Sequence, residues 1–129
     1  MVKLIVEEGE SDALQGFLAT VHRPVSSELS VTESARAIQR RMAAGGADHL
    51  PGRLAEVFRK LDLWALDRDL LVHAGWLKPA ALRTLDAVHL ATALSLPQPP
   101  AAFVSYDRRQ LAAARLAGLA TASPGWEAV

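Results

Sequence analysis

The chain has 129 residues, half of them apolar, with 14 basic and 14 acidic side chains and no cysteine. That length suits one folded domain that buries a core without cross-links, and the lack of cysteine excludes disulfides and thiolate metal centres. A net charge of zero excludes a broad basic footprint for holding nucleic acid by phosphate neutralisation. No apolar run approaches the ~20 residues of a membrane span and no signal-peptide pattern opens the chain, so a cytoplasmic location is expected. The charge is uneven: residues 1–35 carry two basic and six acidic side chains, residues 36–83 nine and five, and the remainder three and three. An acidic pocket beside a basic rim is compatible with that distribution.

Leu14, Phe17, Leu18 and Val21 recur at helical spacing, which predicts an amphipathic helix over 11–21 that Pro24 breaks. Residues 25–29 alternate as a short strand does. A helix follows over 31–44 with Ala35, Ile38 and Met42 on one face; its opening Ser30-Val31-Thr32-Glu33 has the capping-box form. Gly45 and Gly46 should end it, because glycine reaches positive φ at little cost. The next helix starts at Leu50 with Pro51 in its first turn and Leu54, Val57, Phe58 and Leu61 as its apolar stripe. Residues 63–66 read as an edge strand, Asp67 opens a brief helix through Trp76, and Pro79 starts a further turn. Residues 86–96 are apolar nearly all round, which places that helix inside the domain until Pro97, Pro99 and Pro100 end it. Residues 101–105 read as a buried strand, 107–117 as a helix carrying Ala112 and Leu116, and 119–122 as a last strand. Strands alternating with helices predict a parallel sheet covered on both faces, a three-layer α/β domain.

Three acids share a placement within that pattern. Glu33 follows the strand over 25–29, Asp107 follows the strand over 101–105, and Asp86 opens the interior helix. The carboxyl ends of parallel strands, where helices begin, are where such sheets bind ligands. Carboxylates gathered there repel one another, and a hard divalent cation, Mg²⁺ or Mn²⁺, relieves that repulsion. Such a cation can activate water and neutralise charge on a phosphodiester. Each acid taken alone also suits a helix start, and capping and metal binding are compatible. Arg36 and Arg40 lie at i+3 and i+7 from Glu33, and Arg108 and Arg109 follow Asp107; all four suit phosphate contacts or simple ion pairing. His89 reads as a hydrogen-bonded core residue before a catalytic base. Trp64, Trp76, Trp126 and Tyr106 read as packing residues that could also stack bases.

Residues 25–36 (VSSELSVTESAR), 82–94 (LRTLDAVHLATAL) and 103–119 (FVSYDRRQLAAARLAGL) resemble, in order and spacing, three motifs of the PIN-domain ribonucleases, specifically the VapC toxins of bacterial toxin–antitoxin pairs. The resemblance implies one three-layer α/β/α PIN-like domain over residues 1–129 with a mainly parallel central sheet. It implies Glu33, Asp86 and Asp107 as catalytic and metal-holding acids for Mg²⁺ or Mn²⁺, with Ser105 as the small hydroxyl residue beside them. It also implies endonucleolytic RNA cleavage, a homodimer and a cognate antitoxin that covers the site. Residues 2–6 (VKLIV) resemble the end of the family's opening motif, so the first strand and its aspartate are expected to lie before Met1. Glu7 and Glu8, weighed as substitutes for that aspartate, read better as solvated residues. Two functions compete: an RNA-cleaving VapC-type toxin, and a catalytically impaired PIN-like module that binds antitoxin or RNA without cleaving. A third, a small helical regulator using the arginines of 31–41, needs a basic recognition surface that zero net charge does not favour.

Overall fold

The structure, a computed structural model, describes residues 11–20, 24–46 and 48–126. Residues 2–6, Glu7, Glu8 and Val21, on which parts of the sequence reading fall, lie outside the described residues. The chain divides into two compact units, Met1–Trp64 with Pro124–Val129 and Ala65–Ser123, and each contains a parallel strand pair. Among the described residues no helix is long and apolar enough to cross a membrane.

The first unit runs α1 (Ser11–Ala19), β1 (Val25–Ser27), α2 (Leu29–Ala43), α3 (Leu50–Arg59) and β2 (Asp62–Trp64). β1 and β2 pair in parallel with Val25 opposite Asp62 and Ser27 opposite Trp64. The pair is extended at both ends, by the Asp62 N–H donating to the Pro24 carbonyl at 2.9 Å and the Glu28 N–H to the Trp64 carbonyl at 3.0 Å. Ile38 of α2 and Leu50 of α3 are buried together, with Leu54 and Val57 packed against them. Pro51 stands in the first turn of α3, where its missing N–H costs no hydrogen bond. α2 stops at Ala43, and Gly45 and Gly46 follow with φ of 100° and 78°, as expected of glycines that end a helix.

Two expectations for α2 are corrected. Its buried face is Ser30, Ser34 and Ile38, whereas Ala35 and Met42 are exposed. Serines spaced by four residues bring a face close to its neighbours without being apolar, so a hydrophobicity pattern passes over them. The helix also begins at Leu29, which puts Ser30 inside its first turn and leaves no capping box with Glu33. Glu28 holds the N-cap position with an already helical backbone (φ −56°, ψ −23°) and no side-chain cap. The Ser30 hydroxyl instead shares a hydrogen bond of 2.5 Å with the Ser26 hydroxyl.

The second unit runs α4 (Arg68–Gly75), α5 (Thr84–Ser95), β3 (Phe103–Val104), α6 (Arg108–Leu116) and β4 (Thr121–Ala122). Asp67 caps α4 from an extended backbone, its Oδ1 accepting from the Leu70 N–H at 2.8 Å. α5 packs against α4 and α6. As its all-round apolarity predicts, Leu90 and Ala91 are 0% exposed, and Ala87, Val88 and Thr92 are buried with them. Its one polar buried side chain is satisfied within the helix, the Thr92 hydroxyl donating to the Val88 carbonyl at 2.8 Å.

Leu90, Ala113 and Ala114 centre the core of this unit, with Leu77, Leu82, Leu94, Phe103 and Leu119 packed around them. β3 and β4 pair in parallel, Phe103 opposite Thr121 and Val104 opposite Ala122. The helix between them buries Gln110, Leu111, Ala113 and Ala114, while Ala112 and Leu116 are exposed. The expectation that Ala112 and Leu116 mark the working face is thereby corrected. Small alanines let α6 approach α5 closely, and the larger leucine is left outside. Parallel strands alternating with helices make the fold α/β, which removes the small helical regulator from consideration.

Candidate active site around Asp86 and Asp107

The best-defined polar constellation grows from the end of β3. Ser105 is 7% exposed, and its hydroxyl accepts from the Asp107 N–H at 3.0 Å while donating to Gln110 Oε1 at 2.7 Å. Its carbonyl accepts from the Ser123 hydroxyl at 2.7 Å. The turn is therefore held from three directions, and it sets Asp107 in extended backbone (φ −110°, ψ 119°) at the N-cap of α6. From there Asp107 Oδ1 accepts from the Arg109 N–H at 2.9 Å and the Gln110 N–H at 3.1 Å, two donors that a helix start leaves without partners.

The second oxygen of Asp107 is turned elsewhere. Oδ2 lies 3.4 Å from an Nη of Arg83, and the Nε of the same arginine lies 3.6 Å from Asp86 Oδ2. Gln110 reaches across as well, its Nε2 donating to the Asp86 carbonyl at 3.4 Å. Two acids far apart in sequence are thus joined by one guanidinium and braced by one buried amide. Their side chains are 25% and 36% exposed, against 70% for Arg83. The acids are recessed and the arginine is mostly in water, so each ion pair contributes at most about 1 kcal/mol.

Two carboxylate oxygens thus converge on one guanidinium; Mg²⁺ and Mn²⁺ favour hard oxygen ligands of that kind, and Mg²⁺ is commonly held by one or two carboxylates together with substrate phosphates. Among the described residues, no group of three or more His, Cys, Asp or Glu could hold a metal ion. Glu33 belongs to the first unit, half-buried on α2. Because α2 starts at Leu29, Glu33 stands in its second turn and not the first. Arg36 is exposed and donates to Gln39 Oε1 at 2.7 Å; Arg40, Arg108 and Arg109 are exposed too. His89, Tyr106 and Trp64 are half-buried, Trp126 is at the edge of exposure, and Trp76 is 83% exposed.

Sequence reasoning missed Arg83 and the bracing role of Gln110. Arg83 precedes Asp86 by three residues, a spacing that joins charges on a helix, and it occupies an N-cap position that normally favours Ser, Thr, Asp or Asn. Gln110 fits the fourth position of a capping box with Asp107, but its amide is spent on Ser105 and Asp86. The Asp107 N–H goes to Ser105 in its place.

The family profile for the PIN domain matches residues 1–116. This chain belongs to the PIN-domain family. Ribonuclease VapC46 of Mycobacterium tuberculosis is 43% identical to it over 124 residues, covering 96% of this chain and 92% of that protein. Ribonuclease VapC35 of the same species is 40% identical over 129 residues, covering 97% and 92%. Ribonuclease VapC47 is 32% identical over 125 residues, with the same two coverages of 97% and 92%. No solved structure matches the chain. The PIN domain here is therefore one with VapC ribonuclease homologues over nearly its whole length, and its α/β class is the PIN-like one.

Proposed function

We propose that residues 1–129 act as one VapC-type PIN domain that engages a cognate antitoxin and RNA in the cytoplasm, with its metal-dependent ribonuclease chemistry impaired. The observation that carries this reading is the state of the acid pair: Asp86 and Asp107 both meet the guanidinium of Arg83. Among the described residues no third acid, histidine or cysteine joins them in a group that could hold a metal. Asp86 and Asp107 are the residues that would hold Mg²⁺ or Mn²⁺, and Glu33 is the candidate third ligand. When bound there, the cation supplies charge neutralisation at a phosphodiester and a more acidic water. The chain's own residues do the rest. Ser105 and Gln110 fix Asp107 and the Asp86 backbone, and the exposed Arg36, Arg40 and Arg108 take RNA phosphates. Self-association as a homodimer belongs to the same proposal by family likeness.

A second reading, an efficient metal-dependent endoribonuclease, is favoured by the 43% identity to a protein named Ribonuclease VapC46. Binding of a short structured RNA, followed by fluorescence anisotropy, and its cleavage in Mn²⁺, followed on gels, separate the two. Under the proposal RNA binds, cleavage is slow, and Asp86→Asn leaves the binding intact. Multiple-turnover cleavage that Asp86→Asn abolishes would establish the second reading.

A further inference from the structure

α4 has two apolar faces, and the chain covers one of them. Leu70 and Ala74 are buried, and the helix packs against α5. The opposite side presents Arg68, Val72 and Trp76 at i, i+4 and i+8, flanked by Leu71 and Gly75. All five are exposed, Val72 at 56% and Trp76 at 83%. A helix that is apolar on both sides is ordinarily buried on both. An uncovered apolar face with an arginine at one end and a tryptophan at the other has the composition of a protein interface, in which those two residue types are common anchors. Gly75 adds to this. Its φ is not positive, and a Cβ there would meet nothing within 4 Å, so neither the turn nor the packing of this chain calls for glycine. Its small size does open the face to close approach.

We infer that this face of α4 joins two copies of the chain, with the two helices antiparallel across a two-fold axis at Val72. The inference rests on the homodimer reading above and gives it a surface. A two-fold contact must be complementary to itself. With the helices parallel, Arg68 would meet Arg68 and Trp76 would meet Trp76, which sets like charges together at one end. With the helices antiparallel, Arg68 of each copy stands level with Trp76 of the other, and the pairing occurs twice. A guanidinium over an indole face is a favourable contact that strengthens as water is excluded. Asp69 in the first turn and His73 in the last follow the same pattern, each acid approaching the other copy's imidazole. The helix dipoles run in opposite directions as well. At the axis, Val72 packs on Val72.

The test measures self-association of the full chain and its Val72→Glu and Trp76→Ala variants by sedimentation velocity over a concentration series, with far-ultraviolet circular dichroism to show that each is folded. The chain has no cysteine, so Val72→Cys places a single thiol at the proposed axis. Leu116→Cys places one on the exposed side of α6 as a control, and both are treated with a short bismaleimide cross-linker. The wild type should sediment as a dimer, and Val72→Glu, which sets two carboxylates against each other, as a monomer. Trp76→Ala should raise the dimer dissociation constant about thirty-fold, the loss expected of a tryptophan anchor. Val72→Cys should cross-link into a covalent dimer and Leu116→Cys should not. A monomeric wild type would overturn the inference and the homodimer reading together. A dimeric wild type with a folded Val72→Glu that stays dimeric, or a Val72→Cys that cross-links no better than Leu116→Cys, would overturn the inference alone and leave the face to a partner other than this chain.

Discussion

The two units repeat one local device, a serine at the end of a strand or one residue past it that leads into a helix, and they complete it differently. After β1, the Ser27 hydroxyl accepts from the Leu29 N–H at 3.1 Å; after β3, the Ser105 hydroxyl accepts from the Asp107 N–H at 3.0 Å. Both serines are buried. Beyond that point the turns diverge. Asp107 is extended and its short carboxylate reaches two backbone donors, whereas Glu28 is already helical and caps nothing. The second turn also carries Gln110 as a cross-brace and a second acid at its edge, while the first continues into a helix face lined by Ser30 and Ser34. Where the side chain satisfies the backbone, it also fixes its own carboxylate in place. Where it does not, the acid at that end of the helix has no such anchor.

This contrast can be broken by mutation, and urea denaturation checks each case through the midpoint and slope. The largest effect belongs to the core beneath the second turn. Leu90→Ala removes a side chain with no exposure and should cost about 3 kcal/mol, since the surrounding alanines leave little to fill the gap. Gln110→Ala should cost about 2 kcal/mol, because it leaves the buried Ser105 hydroxyl without its acceptor and frees the Asp86 carbonyl. A cost near zero would mean that the brace is incidental. Asp107→Ala should lose about 1 to 2 kcal/mol through its two backbone donors, and Asp107→Asn should keep most of that cap. Glu28→Ala, the matching change in the first unit, should stay within about 0.5 kcal/mol. Equal losses at Asp107 and Glu28 would erase the contrast. The smallest effect has the opposite sign: the Ser34 hydroxyl is buried and without a hydrogen-bond partner, so Ser34→Ala should be neutral or stabilising by up to about 1 kcal/mol.

Much of this was legible in the residues. All-round apolarity located α5, strand–helix alternation indicated parallel pairing, and Gly45 with Gly46 marked the end of α2 because only glycine occupies their φ cheaply. The motifs around Asp86 and Asp107 pointed to the family through their order. What escaped was polar and non-local. The Ser30–Ser34 face has no hydrophobic signal, and a capping box can be written by sequence without forming when the helix starts two residues earlier. Arg83 was invisible for a different reason. Its i+3 partner Asp86 is local, but its meaning depends on Asp107, which only folding brings to the same guanidinium.

The central claim is that Asp86 and Asp107 form the heart of a VapC-type site that binds more readily than it cleaves. The most direct test is a matched assay of RNA binding and Mn²⁺-dependent RNA cleavage on the wild-type chain and Asp86→Asn. The account predicts RNA binding that the substitution leaves unchanged and cleavage too slow for multiple turnovers in the wild type. Rapid Mn²⁺-dependent turnover lost in Asp86→Asn, or RNA binding absent from both proteins, would contradict it.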